Sequence, residues 1–347
     1  MTRGLLDAGI TVLRGVDIDA RVKDTYEQNN PPAKFVQKNV RAPTLSTILG
    51  NVQRSEYDFL VLAGCAPCQP YSSLVKRRSR SNKGSLVAAF GRLVEKLEPD
   101  AVILENVPGL EGAKGGLIWT RFVNKLNRLG YLAQYATIDS KDYGVPQARK
   151  RLVLLAGKGF EIRLPPMKYG PTSRGRRKYK TVRTAIARYR AIKVGTGSRV
   201  LNHISQRLDS VNLERIKLIP KNGGSLSDIP KKYWVPCRRK HPKSHAETYG
   251  RMWWDKPAPT LTSKCTSLSN GRFGHPSQNR PISIREAAAL QTFAPRYKFP
   301  NMPALAGFWI GNAVPVSLAR SLGEAVVETI TRNYVEMDLP SRRAVSQ

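Results

Sequence analysis

Short apolar runs alternate with amphipathic segments along the first half of the chain, and this alternation constrains the fold more than any other feature. Uncharged runs predict buried strands at 59–64, 101–104 and 152–156. Between them, apolar residues recur at helical spacing in 86–97 and 118–129. Strands that alternate with helices predict an α/β fold with a doubly wound, mainly parallel sheet of the Rossmann-like kind. Weaker patterns predict strands at 11–16, 35–40 and 132–138, and helices at 4–10, 20–29, 284–293 and 315–332.

The alternation stops in the middle of the chain, which predicts a second domain. In residues 158–282 basic residues greatly outnumber acidic ones, periodicity is poor, and glycine and proline are frequent. Trp234 and Trp253 offer apolar anchors there, so we expect irregular folded structure rather than a disordered linker. Ser283 and Glu286 then form a capping box that begins a new helix. The predicted organisation is a main domain in two parts, 1–157 and 283–333, an inserted domain at 158–282, and a frayed tail at 334–347.

The chain carries 58 lysine and arginine residues against 25 aspartate and glutamate residues, a formal net charge of +33. Such a field attracts polyanions, and nucleic acid is the leading partner; a charge that serves only solubility is the alternative. No apolar run is long enough to span a membrane and the N-terminus has no signal-peptide pattern, so we expect an intracellular protein without membrane contact. The four cysteines form no disulfide framework, which suits a reducing compartment.

A stiff loop of glycine, proline and cysteine follows the predicted strand at 59–64. In open α/β sheets ligands collect at the carboxyl ends of the strands, so a thiol on this loop is a candidate nucleophile. Cys65 and Cys68 are both eligible. A structural buried thiol and a metal or redox pair are the alternatives, but a zinc site needs further ligands, and Cys237 and Cys265 stand alone.

A carboxylate and two arginines come from neighbouring strand ends. Glu105 closes one apolar run, and Arg149 and Arg151 precede another, where alternate side chains of an extended segment project to one face. Guanidinium groups at this edge bind a carbonyl oxygen or a carboxylate. The alternatives are a buried ion pair between Glu105 and one of the arginines, and surface contacts of the arginines with phosphate.

A thiol, a carboxyl group, an arginine and a polyanionic substrate suit one reaction together. Carbon 5 of cytosine becomes nucleophilic only when a group adds to carbon 6, and a thiolate performs this addition while a carboxyl group holds or protonates N3. The base must leave the duplex to be reached. These residues suit methylation at carbon 5, and the identity of the base rests on the motifs that follow.

Five short motifs follow one another in a fixed order. They are Pro67-Cys68-Gln69, Glu105-Asn106-Val107, Gln147-Ala148-Arg149-Lys150-Arg151, Arg285-Glu286-Ala287-Ala288 with Leu290-Gln291, and Gly311-Asn312-Ala313-Val314-Pro315. Each is common by chance, but in this register the chain resembles the DNA (cytosine-5) methyltransferase family over nearly its whole length. The resemblance implies an enzyme of bacterial or phage type, a DNA (cytosine-5-)-methyltransferase that flips its target base and serves DNA methylation, alone or in a restriction-modification system.

The resemblance assigns catalytic roles residue by residue. Cys68 is implied to be the nucleophile that attacks carbon 6, which leaves Cys65 for packing. Glu105 is implied to hold N3 and the exocyclic amine of the cytosine. Arg149 is implied to contact the cytosine O2, and Arg151 is implied to support the site. No metal is implied.

S-adenosyl-L-methionine is the implied cofactor. Asp17 takes its ribose hydroxyls and Ile18 lies against its adenine, although an aspartate after a strand is also typical of a helix cap. Asn39 stands where the family commonly has an aspartate at the adenine amine. The other residues implied to line the cofactor are Pro67, Leu86, Asn312 and Val314.

Double-stranded DNA is the implied partner, and residues 158–282 are the implied target-recognition domain. Within a Thr-Leu element, Thr260 and Thr262 are implied to support the DNA around the flipped base, and Gln69 and Ser72 are implied to contact DNA. The family leads us to expect a monomer, a cytoplasmic and nucleoid-associated location, and a cognate restriction endonuclease that acts separately.

The chain departs from the family at its beginning. Members begin with a strand and a Phe-x-Gly-x-Gly loop around the cofactor, whereas Met1 to Leu5 resemble the residues just after that loop, and 334–347 hold no such motif. We therefore expect a reading frame that starts upstream, a sheet without its first strand, and weak cofactor binding by the chain as written. The alternative functions are a catalytically impaired or dead DNA-binding relative and an RNA cytosine-5 methyltransferase.

Overall fold

A computed structural model describes residues 1–41, 56–65, 85–112, 116–171, 175–240 and 247–343, with side chains described in these ranges except at 85 and 334–343. The chain divides into two compact units. Unit 1 comprises Met1–Asp139, Lys150–Pro166 and Leu318–Gln347, and unit 2 comprises Ser140–Arg149 and Met167–Ser317. Each unit has a hydrophobic core of its own.

In its described ranges, unit 1 contains six strands in two sheets. β1 (Arg14–Asp17) and β2 (Lys34–Gln37) form a parallel pair. The second sheet has the order β3-β4-β6-β5 and consists of β3 (Val61–Gly64), β4 (Ala101–Asn106), β5 (Tyr131–Asp139) and β6 (Lys150–Lys158). All six residues of β4 are buried, as expected for a central strand that is covered on both faces.

The predicted α/β class with mainly parallel strands is confirmed. β3 and β4 pair in parallel, whereas β6 runs antiparallel to both of its neighbours, β4 and β5. The predicted strands all occur within a few residues of their expected bounds. The direction of β6 was not predicted, because a run of buried aliphatic residues has no feature that specifies direction.

Helices cover the sheets of unit 1. They are α1 (Thr2–Asp7), α2 (Lys23–Asn29), α3 (Ser85–Leu97), α4 (Gly116–Arg128) and α10 (Val316–Arg343). The apolar faces of α3 and α4 share one core with β4 and β6, through residues such as Val94, Phe122 and Leu154. The helix α10 continues to Arg343, so most of the segment predicted as a frayed tail is helical. In the described ranges, no helix is long and apolar enough to cross a membrane.

Unit 2 consists of short helices joined by irregular segments. Its helices are α5 (Val182–Ile186), α6 (Ser210–Leu218), α7 (Pro236–Lys240), α8 (Ile284–Leu290) and α9 (Pro303–Asn312). Single turns of 3-10 helix occur in the two units at Ala20–Val22, Pro108–Leu110, Ser140–Tyr143, Leu226–Asp228, Lys231–Tyr233 and Leu268–Asn270. The predicted capping box begins α8: Ser283 Oγ accepts from the Glu286 amide, and Glu286 Oε2 accepts from the Ser283 amide at 2.7 Å.

Buried arginines hold the irregular segments of unit 2 together. Arg251 is fully buried and donates to four backbone carbonyl oxygens and to Asn279 Oδ1. Burial lowers the pKa of Arg251 to about 10. Arg280 is also fully buried and binds Glu286 through two contacts of 2.8 Å. Irregular backbone leaves many carbonyls without ladder partners, so part of the basic excess in 158–282 serves folding rather than nucleic-acid contact.

The unit boundaries differ from those of the predicted domains. Helix α8, which was predicted to return to the main domain, packs in the core of unit 2. Its residues Ile284 and Leu290 share that core with Val182, Met252 and Leu261. The chain therefore returns to unit 1 only at Leu318, and residues 140–149 also belong to unit 2.

Candidate active site

Glu105 and Arg151 form a largely buried ion pair in unit 1. Glu105 is the fifth residue of β4, and Arg151 is the second residue of the adjacent strand β6. Arg151 Nε lies 2.8 Å from Glu105 Oε1, and the two side chains are 13% and 9% exposed. The contact is not aligned as a hydrogen bond, so Glu105 Oε1 accepts none from the described residues. The pair therefore leaves the acceptor capacity of Glu105 Oε1 unused.

Arg149 has different partners from Arg151. It is buried in unit 2, where its Nη1 donates to the carbonyl of Leu261 at 2.8 Å. Its Nη2 donates to the carbonyls of Gly311 and Ala313, each at 3.2 Å. This geometry disagrees with the implied contact of Arg149 with the cytosine O2, because these guanidinium donors are directed at backbone carbonyls. Through these hydrogen bonds Arg149 joins its own motif to the Thr-Leu element, which contains Leu261, and to the motif that contains Gly311 and Ala313.

Two buried glutamines continue this network. Gln147 Nε2 donates to Gln291 Oε1 at 3.1 Å, and Gln147 Oε1 accepts from the Leu261 amide at 2.9 Å. Gln291 Nε2 donates to the carbonyl of Ile310 at 2.7 Å and, more weakly, to that of Ala313 at 3.3 Å. Both glutamine residues are fully buried. We call these three side chains the Gln147–Arg149–Gln291 network.

The Thr-Leu element is bound to the backbone around Arg149. Thr260 Oγ1 donates to the Ala148 carbonyl at 2.8 Å, which uses the only proton of that hydroxyl. A phosphate oxygen needs a donor, so this rotamer of Thr260 has no hydroxyl proton to offer DNA. Thr262 approaches Gly311 so closely that a Cβ on Gly311 would lie 1.9 Å from the Thr262 carbonyl oxygen. Glycine is therefore required at position 311.

Asp17 and Ile18 have the exposure that a bound nucleoside needs. Asp17 ends β1 and accepts from the Asp19 amide through one oxygen. The cap of the following helical turn is Asp19, whose carboxylate accepts from the Arg21 amide, so Asp17 does not have the capping role. Ile18 is 67% exposed, an apolar side chain beside a carboxylate at a strand's carboxyl end. These two residues fit an adenosine group.

The other residues implied to bind the cofactor differ in exposure. Asn39 is exposed, and its Oδ1 accepts from the Arg41 amide at 3.1 Å. Leu86, near the start of α3, is half-buried. Asn312 is the exposed last residue of α9, whereas Val314 is buried.

The proposed nucleophile and its neighbours lie outside the described residues. These positions are Pro67, Cys68, Gln69 and Ser72. Cys65 lies within the described range, at the end of β3, and is exposed. The exposure of Cys65, which directly follows β3, contradicts the expectation that it serves packing.

Gln147 and Gln291 are the residues whose importance the sequence did not reveal. Both lie within the five motifs described above, but the sequence assigned no role to either of them. The one local signal was a polar residue that directly follows an apolar helical run, as Gln291 follows Leu290. Such a residue is common at a helix end, and here Gln291 is the C-terminal cap of α8.

Comparison with known proteins agrees with the resemblance. The model of a family described as C-5 cytosine-specific DNA methylase matches residues 1–328. The chain is 38% identical to the type II methylase M.HgiDII of Herpetosiphon aurantiacus, over 94% of this chain and 91% of that protein. It is 29% identical to the type II methyltransferase M1.HphI of Haemophilus parahaemolyticus, over 93% and 82% of the two chains.

Solved structures share the fold. One, described as a DNA modification methyltransferase encoded within a prophage of E. coli, superposes with a TM-score of 0.72 at 19% identity and covers 95% of this chain and 96% of its own. The Dnmt2 methyltransferase of S. pombe superposes with a TM-score of 0.60 at 15% identity, over 94% of each chain.

Proposed function

The chain belongs to the C-5 cytosine-specific DNA methylase family, and we propose that it acts on a specific duplex sequence through base flipping and attack by Cys68. The reaction of the family is methylation of carbon 5 of cytosine in DNA, with S-adenosyl-L-methionine as the methyl donor. The base must leave the helix because its carbon 6 is covered by stacking inside the duplex. The recognised sequence is read by unit 2, whose irregular segments supply exposed cations.

One observation carries this proposal: the buried Glu105–Arg151 pair, in which Glu105 Oε1 accepts no hydrogen bond from the described residues. The Watson–Crick edge of cytosine offers a donor amine, N3 and the O2 acceptor. The Glu105 carboxylate accepts from the amine and from N3 when N3 is protonated. Among the described residues Arg151 is the cation paired with Glu105, so we assign the O2 contact to Arg151 rather than to Arg149.

The chemical steps follow from these groups. The Cys68 thiolate forms a bond to carbon 6, and the electrons of the 5,6 double bond make carbon 5 nucleophilic. A proton shared between the Glu105 carboxyl group and N3 neutralises the negative charge that the attack places on N3. S-adenosyl-L-methionine would supply the methyl group and leave as S-adenosyl-L-homocysteine. The residues that would hold it are Asp17, Ile18, Asn39, Pro67, Leu86, Asn312 and Val314. The proton of carbon 5 then passes to water, the electrons of its bond re-form the 5,6 double bond, and the bond from carbon 6 to Cys68 breaks to release the thiolate.

The biological setting comes from the relatives. The similar proteins are named type II methylases and methyltransferases, so we propose that this chain belongs to a restriction-modification system with a separate endonuclease. We propose a monomer, because two copies with a charge of +33 each repel one another. Bisulfite sequencing of DNA from a bacterial host that expresses the chain would give the recognised sequence.

Covalent trapping tests the chemistry. In DNA that contains 5-fluorocytosine, fluorine on carbon 5 cannot leave as a proton does, so the enzyme stays bound through Cys68. We expect a complex that survives denaturing electrophoresis on a long PCR product made with the fluorinated nucleotide. Cys68→Ser should abolish the complex, while Cys237→Ser, at an exposed position, should retain it.

Three results would contradict the proposal. A complex that persists in Cys68→Ser would remove the assigned nucleophile. Failure of the unaltered chain to form any complex, with DNA binding retained, would indicate a catalytically dead relative. Methyl transfer to transfer RNA but not to DNA would assign the RNA substrate instead.

A further inference from the structure

We infer that Gln291, through Gln147, is a positioning residue that couples cofactor binding to DNA binding. This inference rests on the proposed function, because it takes Asn312 and Val314 as cofactor residues and the Thr-Leu element as the DNA support. The structure joins those two segments through side chains of the Gln147–Arg149–Gln291 network, all within unit 2.

On the cofactor side, the network holds the end of α9. The last carbonyls of a helix have no intrahelical partner and usually bind water or a capping residue. Here Gln291 Nε2 donates hydrogen bonds to the Ile310 and Ala313 carbonyls. Arg149 Nη2 donates to those of Gly311 and Ala313. Asn312 lies between these residues, so its backbone position is set from both sides.

On the DNA side, the network binds both the backbone amide and the backbone carbonyl of Leu261. The Leu261 amide donates to Gln147 Oε1, and the Leu261 carbonyl accepts from Arg149 Nη1. The Thr260 hydroxyl adds a bond to the Ala148 carbonyl. The backbone of the Thr-Leu element therefore follows the position of residues 147–149.

The two sides meet in one hydrogen bond, from Gln147 Nε2 to Gln291 Oε1 at 3.1 Å. Both amides are fully buried and use donor and acceptor at the same time. A shift on either side would break a bond that water cannot replace, and an unmade buried bond is costly. Buried amides whose donors and acceptors are all paired, as in Gln147 and Gln291, are rigid for this reason. A movement of residues 310–313 is therefore transmitted to Leu261.

A thermodynamic linkage experiment separates coupling from simple support of the fold. The affinity for a duplex that carries the sequence found by bisulfite sequencing is measured with and without S-adenosylhomocysteine. The ratio of the two dissociation constants is the coupling factor. For the unaltered chain we expect a factor within the usual range of about 5 to 150.

The variant Gln291→Met keeps the length of the side chain but removes its donor and acceptor. We expect its coupling factor to fall to about 1 to 2, while its DNA affinity without the cofactor product changes less than about threefold, because only the link between the sites is lost. Gln134→Met is the matched control, since Gln134 lies on β5 of unit 1 and its amide binds exposed Glu161. Gln134→Met should have the same coupling factor as the unaltered chain.

A second variant covers the case in which Gln291→Met does not fold. Gln147→Met removes the other half of the same bond and should lower the factor equally, and the double variant should lower it no further than either single change. A factor that stays within twofold of the unaltered chain in a folded variant would overturn the inference, as would an unaltered chain without coupling. Covalent trapping that succeeds in the same proteins would leave the proposed function standing.

Discussion

Arg151 and Glu105 meet across neighbouring strands, with Arg151 Nε 2.8 Å from Glu105 Oε1. Arg149, only two residues earlier, binds the carbonyls of Leu261, Gly311 and Ala313 instead. Alternate residues of an extended segment were expected to face one pocket together. The chain passes from unit 2 to unit 1 between residues 149 and 150, so the two arginines serve different units.

Replacing Arg151 should reduce activity strongly. In Arg151→Met the Glu105 carboxylate keeps its buried position but loses its cation, and the base loses a donor at O2. We expect kcat/KM for methyl transfer to fall about 10²- to 10³-fold, as for loss of one preorganised donor. Transfer of a tritiated methyl group to DNA measures this. Arg163→Met is the control, because Arg163 is 83% exposed and its nearest carboxylate is 3.8 Å away. Activity within about threefold in both variants would remove Arg151 from the site.

Replacing Glu105 by glutamine should slow the attack on carbon 6. Gln has the same shape but no acidic proton, so it cannot neutralise by proton sharing the negative charge that the attack places on N3. We expect the rate of covalent complex formation on 5-fluorocytosine DNA to fall about 10²-fold, in the range of general acid–base contributions. Glu98→Gln changes a surface carboxylate, 68% exposed and paired with Lys158, and should leave the rate unchanged. An equal rate in Glu105→Gln would show that proton sharing between this side chain and N3 is not used.

The sequence predicted much of unit 1 because local patterns determine it. The run that became β4 and the spacing that became α4 contain enough apolar residues to specify buried elements by themselves. Ser283 likewise marked the first residue before α8, since a capping box is a local hydrogen-bond pattern. The Glu105–Arg151 ion pair was one of the alternatives that the strand ends left open.

The remaining features depend on contacts between distant residues. Nothing local to α8 shows that Ile284 packs with Met252 rather than with the sheet. Arg149 and Arg151 have the same chemistry and almost the same position, so the sequence alone could not separate a carbonyl-binding arginine from one that pairs with Glu105. The bond between Gln147 and Gln291 joins residues 144 positions apart, beyond the reach of any periodic pattern.

Arg149 should matter for stability more than for contact with the base. Lysine retains the charge but has a single nitrogen, so Arg149→Lys cannot serve the carbonyls of Leu261, Gly311 and Ala313 together. Unsatisfied buried carbonyls cost about 1–3 kcal/mol each, and we expect the free energy of unfolding to fall by about 3 kcal/mol. Urea unfolding followed by fluorescence measures it, with exposed Arg199→Lys as the control. Unchanged stability combined with lost base binding would restore the assignment of Arg149 to the cytosine O2.

Unit 2 should lose stability in mild acid through His275. This buried side chain accepts hydrogen bonds at Nδ1 from the amides of Ser277 and Gln278, at 3.1 and 3.0 Å, so a proton on Nδ1 would face two donors. Burial lowers the pKa of His275 to about 4 in spite of the neighbouring Glu286. Burial would raise the pKa of Glu286, but hydrogen bonds from Arg280 hold it at about 2, so Glu286 stays ionised in mild acid.

The sign of the effect follows from the proton count. Unfolded histidine has a pKa near 6.5, so between pH 6.5 and 4 His275 is protonated in the unfolded chain and neutral in the folded chain. The contribution of neutral His275 is therefore complete above pH 6.5 and is lost as the pH falls through this window. From pH 7 to pH 5 we expect the unaltered chain to lose about 2 kcal/mol more than His275→Asn, whose amide oxygen retains an acceptor. Urea unfolding at the two pH values measures the difference, and equal losses in both proteins would contradict the neutral, buried state of His275.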